Sequence, residues 1–178
     1  MTIYNYVRDR DQLEELVAAA VIADVDMPAP VDSWSDDVRA VATAKWDAVR
    51  SHPNAVSLVL TRRTVSSSSF AAAERLVDAL SRASLSDADL LAAFRAVLSV
   101  VTGSAQVEHG TAGEARAAAG RIGALAGEGH PRLAALAEVS QRSTAADDFA
   151  AALDMLIVGI TSRGSSSSIG RAQPPTVD

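Results

Sequence analysis

The stretch SDADLLAAFRAVLSVVTGSAQVEH, residues 86 to 109, has the periodicity of a long α-helix that is apolar on more than one side. Ser86 and Asp89 have the spacing of an N-terminal capping pair, and Gly110 suits the position that ends many helices. One apolar stripe along the helix comprises Leu91, Phe94, Leu98, Val101 and Ala105. A stripe of small residues on the opposite side comprises Ala92, Ala96, Ser99 and Gly103. Both faces therefore require cover.

A second segment, from about Asp147 to Ile160, repeats this pattern, and between Phe149 and Ile160 its only charge is Asp154. Two helices that are apolar all round are too many for one central position in a chain of 178 residues. We therefore expect a homodimer in which each copy contributes two helices to an isologous interface. The predicted interface residues are Ala96, Gly103, Phe149, Leu153, Leu156 and Ile160.

The composition favours an all-α protein with a single core. Hydrophobic residues make up 48% of the chain and aromatic residues only 4%, so small and aliphatic side chains dominate. A net charge of −6 argues against nucleic-acid binding by the chain as a whole. The absence of cysteine excludes disulfides and indicates the reducing cytoplasm. The apolar run 16–23 is shorter than the roughly 20 residues of a membrane span, so we expect no signal peptide, anchor or membrane partner.

The remaining chain predicts further helices over about 9–24, 33–52, 56–60, 70–83 and 131–139. The inner side of the helix over 33–52 is predicted to carry Val38, Val41, Ala42, Lys45, Trp46 and Val49. Six glycines interrupt residues 110–129, where we expect a mobile loop with partial helix. The tail RGSSSSIGRAQPPTVD, residues 163–178, has the composition of a disordered segment.

Catalytic and metal-binding patterns are missing from the sequence. The three histidines, His52, His109 and His130, stand far apart, without an HExxH motif or a carboxylate cluster at ligand spacing. The serine runs lack a nucleophile elbow, and GRIGALAGEG has neither dinucleotide nor P-loop spacing. We therefore predict that the protein is not an enzyme and has no catalytic residue, metal or cofactor.

The opening stretch TIYNYVRDRDQLEELV, residues 2 to 17, resembles the junction that follows the recognition helix in the tetracycline-repressor family. The matching positions are Ile3, Tyr4, Tyr6, Val7, Arg10, Asp11 and Leu13. The resemblance continues through DDVRAVATAKWDAVRSHPN, ERLVDALSRASLSDADLLAAFRAVLSVVTG and the last apolar helix, and it covers most of residues 2–162. It implies an all-α domain that binds a small molecule and dimerises.

The resemblance also implies a division of the chain and a role for its start. Residues 1–8 would be the remnant of a DNA-recognition helix, 9–162 the effector-binding and dimerisation domain, and 163–178 a disordered tail. Thr2, Tyr4 and Tyr6 would contact phosphates or thymine methyl groups, and Arg10 would reach a phosphate. The alternative is that Ile3 and Val7 merely pack on the following helix. The two helices that precede the recognition helix in the family are missing, so we expect operator binding only where they are present.

For the effector pocket, the resemblance indicates an apolar enclosure with a few polar groups. The predicted pocket residues are Trp46, Arg62, Phe94, Gln106 and His109. Trp46 and Phe94 could equally be plain core, and Arg62 could remain solvated at the end of a short helix.

Two functional hypotheses remain open. The first is a ligand-responsive transcriptional repressor, in which effector binding moves the DNA-reading heads through the helix over 9–24. The second is a helical dimer that binds a ligand or a protein without binding DNA.

Overall fold

The computed structural model describes residues 7–55, 58, 67–108, 112–126 and 129–170. These described residues form α-helices and one short 3₁₀ turn, Pro53–Ala55, with no strand, as the sequence predicts. The helices are α1 (Arg10–Ala23), α2 (Trp34–Arg50), α3 (Ser67–Ser81), α4 (Asp87–Glu108), α5 (Ala112–Ala126), α6 (Pro131–Ser140) and α7 (Ala145–Gly170). The predicted helix over 56–60 lies outside the described residues, except for Leu58.

Polar side chains fix where the helices begin. Asp9 accepts a 2.8 Å hydrogen bond from the backbone N–H of Gln12 at the start of α1. Ser86 accepts one of 3.2 Å from the N–H of Asp89 at the start of α4. Each cap accepts a hydrogen bond from a backbone N–H of the first turn, which has no partner within the helix. Such a cap stabilises the helix by about 1 kcal/mol. The predicted Ser86–Asp89 cap is confirmed.

The core forms where α2, α3, α4 and α7 meet. Helix α4 packs against both α2 and α7, and α3 packs against α2 and α4. The largest fully buried apolar side chains are Val38, Val41, Leu76, Leu80 and Val97. Helix α1 packs on α3 and α2 and buries Ala18 and Val21. The centre of the protein is thus aliphatic, as the composition indicates.

The glycine-rich segment is more regular than the sequence predicts. Residues 112–126 form the complete helix α5, which packs against α6 and makes few contacts with the rest of the described chain. Alanines at the junction are buried, and a side chain at Gly123 would meet the Cβ atom of Ala137 at 3.7 Å. The predicted partial helix is thus a complete helix over 112–126, because small residues let the two helices approach closely.

The last helix also extends further than predicted. It continues to Gly170, so the prediction of a disordered tail is corrected for residues 163–170. Gly164 is buried against the backbone carbonyl of Ala83, and the Arg163 guanidinium lies 3.2 Å from the Asp89 carboxylate. Packing of this turn on the α3–α4 connection outweighs its low-complexity composition. Residues 171–178 lie outside the described residues.

A buried carboxylate joins α2 to α3. Asp37 is fully buried and accepts hydrogen bonds from the guanidinium groups of Arg75 and Arg82. Arg82 also donates to the backbone carbonyl of Val31 at 2.7 Å. The hydrogen bonds from Arg75 hold the pKa of Asp37 below its ordinary value, although burial acts in the opposite direction. Asp37 is therefore ionised in the folded protein.

Replacement of Asp37 by alanine should lower the free energy of unfolding by about 3–5 kcal/mol, because two guanidinium groups lose their buried partner. The control is Asp36→Ala, since Asp36 is exposed and its pair with Arg39 is worth about 1 kcal/mol or less. Urea denaturation monitored by circular dichroism measures the free energy of unfolding of both variants. Equal, small losses in the two variants would contradict a structural role for Asp37.

The same cluster predicts a pH dependence. Since the pKa of Asp37 is lower in the folded than in the unfolded chain, its contribution is complete above the unfolded value, about 4. It is lost as the pH falls through the lower, folded value. The stability difference between wild type and Asp37→Asn should therefore be constant from pH 7 to 5 and shrink below about pH 4. A stability difference between wild type and Asp37→Asn that grows on acidification would contradict a lowered pKa for Asp37.

Replacement of Gly164 by alanine should destabilise the protein, because the added Cβ would collide with the carbonyl oxygen of Ala83. We expect a loss of about 1–3 kcal/mol, the usual range for overpacking. The control is Gly120→Ala in α5, where a Cβ meets no atom within 4 Å and alanine favours the helix. The midpoint temperature of thermal unfolding should fall for Gly164→Ala. For Gly120→Ala it should rise or stay unchanged.

Candidate functional site

An aromatic pair joins α2 to α7 in the core. The rings of Trp46 and Phe149 stack with centroids 4.6 Å apart and planes 9° from parallel. The guanidinium of Arg50 lies 4.6 Å from the Trp46 ring centroid, in a cation–π contact. Trp46 and Phe149 are both only 3% exposed. Two aromatic side chains of the core thus contact each other between α2 and α7.

The indole nitrogen of Trp46 is a buried hydrogen-bond donor. Its Nε1 atom is buried, and no hydrogen-bond partner reaches it in the part of the chain that the structure describes. A buried donor without a partner costs about 1–3 kcal/mol. A bound molecule that offers an oxygen to this N–H would recover that cost.

Lys45, the only lysine in the chain, lies beside this pair in sequence. It is partly buried on the inner side of α2, as the sequence predicts. Burial alone lowers the pKa of Lys45 to about 8, because the charged form loses hydration. Among the described residues no hydrogen bond or ion pair joins its ammonium group. The inner face of α2 therefore presents a cation that the described chain does not neutralise.

The predicted pocket residues have different locations. Trp46 is buried, and Phe94 is partly buried and packs against the core. Gln106 is exposed near the end of α4. Arg62 and His109 lie outside the described residues. Their contacts with an effector remain predictions.

The sequence analysis did not include Lys45 or Phe149 among the pocket residues. A signal for Lys45 was present, since a lysine at the centre of an apolar helix face has little access to water. For Phe149 the periodicity indicated burial but not the ring that would contact it.

The predicted DNA-contacting residues are only partly described. Thr2, Tyr4 and Tyr6 lie outside the described residues. Arg10 begins α1 with a side chain that is 89% exposed, and its Nε atom pairs with Glu14 at 2.8 Å. A phosphate contact by Arg10 stays a prediction.

Three residues predicted for the dimer interface pack in the chain's own core. Phe149, Leu153 and Ile160 are only 3%, 2% and 5% exposed, because they pack within the cluster formed by α2, α3, α4 and α7. Ile160 also lines a groove between α4 and α7, and contact of these residues with a second copy stays a prediction. The periodicity identified two apolar faces of α7 but not which one the chain itself covers.

The opposite sides of α4 and α7 form an exposed apolar surface, which we call the outer face. On α7, Met155 and Val158 are 70% and 65% exposed. On α4, a Cβ atom added at Gly103 would meet no atom within 4 Å. The outer face comprises Ala92, Ala96, Ser99 and Gly103 of α4 and Ala151, Met155, Val158 and Gly159 of α7.

A groove of about 270 Å³ makes the two halves of the outer face continuous. Ala92 and Ala96 line its α4 side, and Leu156 and Gly159 line its α7 side. Ala96, Gly103 and Leu156, all predicted for the interface, thus lie on or beside the outer face. Their contact with a second copy remains a prediction.

Helix α4 has the length and hydropathy of a membrane span. Its segment Asp87–Gln106 has a mean hydropathy of 1.4 over the most apolar window. However, Val97, Val101 and Ala105 are buried against the rest of the chain. The apolar character of α4 is thus explained by one face in the core and one face on the outside.

The described residues offer no metal site. No group of three or more His, Asp or Glu side chains lies close enough together to hold an ion within the described ranges. His52 Nδ1 lies 3.0 Å from the carbonyl oxygen of Ala48, one turn earlier, which gives it a structural partner.

Comparisons with known proteins agree with this architecture. Residues 27–163 match the family described as tetracyclin repressor-like, C-terminal domain. An HTH-type transcriptional regulator from Saccharopolyspora erythraea is 32% identical over 108 residues, which are 60% of this chain and 46% of that protein. The chain therefore spans about half the length of this curated relative.

Solved structures of Streptomyces coelicolor proteins share the fold. Apo ActR has a TM-score of 0.74 at 21% identity, over 91% of this chain and 80% of ActR. ActR in complex with actinorhodin has a TM-score of 0.75 at 20% identity, with the same coverage. The transcriptional regulator SCO7222 has a TM-score of 0.74 at 22% identity, over 92% and 82% of the two chains. At these identities the likeness establishes the fold. Because the family match extends over well more than half of the sequence, the chain belongs to the tetracyclin repressor-like, C-terminal domain family.

Proposed function

We propose that this chain is the effector-binding and dimerising part of a ligand-responsive transcriptional regulator that acts as a repressor. The family match over residues 27–163 carries the proposal. It is supported by the name of the relative from Saccharopolyspora erythraea and by the ActR structures with actinorhodin and (S)-DNPA. The effector is a small molecule that binds among α2, α4 and α7, where Trp46 Nε1 and Lys45 have no partner among the described residues.

The protein acts as a homodimer in which the outer faces of two copies meet. Met155 and Val158 supply exposed apolar area, and the small stripe of α4 allows close approach of a second backbone. Burial of this surface in a four-helix interface explains why α4 and α7 are apolar on both sides.

Helix α1 transmits the effector signal to DNA. It is fixed to α2 and α3 by Ala18 and Val21, so a change in α2 reaches it directly. Near its start, Leu13, Leu16 and Val17 are 39%, 51% and 37% exposed and offer an apolar surface to a DNA-reading head. The head includes residues 1–8 and the two helices that precede the recognition helix in the family. Two heads on a dimer read a palindrome whose spacing depends on α1.

Val158→Arg should convert the dimer to monomers. An unpaired guanidinium buried in the interface costs about 3 kcal/mol or more, which raises the dissociation constant about 100-fold or more. Phe70→Arg is the control, since Phe70 is 61% exposed, close to the 65% of Val158, but lies on α3. Light scattering coupled to size exclusion at micromolar concentration gives the masses. If the Val158→Arg variant were dimeric, or the wild type monomeric, the proposal that the outer face forms the dimer interface would be contradicted.

Operator binding should require the family's preceding helices. The 178-residue chain alone should bind duplex DNA without sequence preference, with a Kd weaker than about 10⁻⁶ M. The gene product that includes an in-frame helix-turn-helix should bind a palindrome near its gene with a Kd of about 10⁻⁸ M or tighter. Gel-shift titrations at fixed salt measure both, and a reporter driven by that DNA should be repressed only by the longer product.

The net charge of −6 favours the alternative, a dimeric ligand- or protein-binding module without DNA. A stop codon just before Met1 together with an unrepressed reporter would favour that module. Tight, sequence-specific binding by the 178 residues alone would contradict the requirement for preceding helices.

A further inference from the structure

Lys45 occupies the centre of the buried face of α2. With 3.6 residues per turn, it lies within roughly 20° of Val38 and roughly 40° of Val49 around the helix axis. Val38 is fully buried and Val49 is 7% exposed, so the flanking positions are part of the core. An apolar residue would be expected at such a position, because a lysine there loses hydration. The chain carries its single lysine at this point.

The cost of this placement is not offset by the described chain. The charged residues that neighbour Lys45 on α2 are directed elsewhere: Asp47 pairs with Arg50 at 3.5 Å, and Asp37 pairs with Arg75 and Arg82. Since the pKa of Lys45 is lowered only to about 8, most molecules carry the ammonium charge at pH 7. Lys45 is partly rather than fully buried.

Trp46 adds a second donor at the next position of the helix. No described residue offers an acceptor to its buried Nε1–H, while its ring contacts Phe149 and Arg50. Lysine and tryptophan side chains only donate hydrogen bonds. The partner that suits the Lys45 ammonium is a charged acceptor oxygen, and the partner that suits the Trp46 N–H is any acceptor oxygen.

We propose that the effector of this protein is an apolar molecule with an anionic group, a carboxylate, sulfonate or phenolate, and that this group pairs with the Lys45 ammonium. The inference rests on the proposed function, because it names the chemical class of the effector for the same site. The apolar part of the effector lies against the aliphatic surface of α2 and its neighbours. Its negative charge completes the ion pair that the described residues leave open.

Two dyes that differ only in a sulfonate group test this proposal. The probes are 8-anilinonaphthalene-1-sulfonate, which is anionic, and N-phenyl-1-naphthylamine, which is the same body without the charge. Wild type should bind the anionic dye at least tenfold more tightly than the neutral dye in fluorescence titrations. Lys45→Met should weaken the anionic dye at least tenfold and change the neutral dye less than twofold. Arg142→Met, which removes an exposed charge after α6, should change neither.

The single lysine allows a second measurement on the unmodified protein. Acetic anhydride can acetylate only Lys45 and the N-terminal amine among its amino groups, and mass spectrometry separates the two sites. The anionic dye should slow acetylation of Lys45 at least fivefold and leave the N-terminal amine unchanged.

Equal binding of the two dyes by wild type, equal binding of the anionic dye by wild type and Lys45→Met, or unprotected Lys45 would each overturn the proposal. None of these assays contains DNA. A negative result in the dye or acetylation assays would therefore not affect the reporter test of the proposed function. An unrepressed reporter would likewise not affect the dye result.

Discussion

The central constraint on this protein is that α4 is apolar around most of its circumference. Its core side, with Val97 and Val101, is covered by α2 and α7, and this packing fixes the arrangement of the domain. The other side carries alanine, serine and glycine, which let another backbone approach but provide little to pack against within one chain. A second face of this kind on α7 lies beside it, joined by the groove at Leu156 and Gly159. Together the two faces form one continuous apolar surface that the described chain leaves exposed.

The polar interactions position this core rather than drive its formation. Asp37 of α2 pairs with Arg75 in α3 and with Arg82 just after α3. These two ion pairs set the placement of α2 relative to α3. Gly164 lets the last helix lie against the carbonyl of Ala83. Helix α2 is held at its start by Asp37 and on its α7 side by the stack of Trp46 on Phe149, close to Lys45. A change at these residues on effector binding would reach α1 through the same packing.

Much of the fold could be predicted from the sequence, because helix periodicity and caps are local signals. The Ser86–Asp89 cap and the inner side of α2, including Lys45, agree with the structure. The errors arose where tertiary contacts outweigh composition. Gly123 indicated a loop but permits contact with Ala137, and Gly164 indicated a disordered tail but fits under a carbonyl group.

The site was less predictable, because periodicity does not identify the partner of a buried face. Phe149 reads equally well as an interface residue or as the ring that stacks on Trp46, and only the arrangement of α2 and α7 distinguishes these roles. Likewise, the sequence places Lys45 on an inner face but cannot show whether a carboxylate lies opposite. The missing partner of the Trp46 indole also depends on contacts between distant segments.

The oxidation rate of Met155 tests the central claim most directly. Met155 is 70% exposed in the protomer and lies in the middle of the outer face, so contact with a second copy would shield its sulfur from peroxide. Mass spectrometry can follow Met155 and a short methionine peptide added to the same sample as an exposed reference. The account predicts slow oxidation of Met155 relative to the peptide at micromolar concentration and faster oxidation on dilution below the dissociation constant. Oxidation of Met155 as fast as the peptide at every concentration would contradict it.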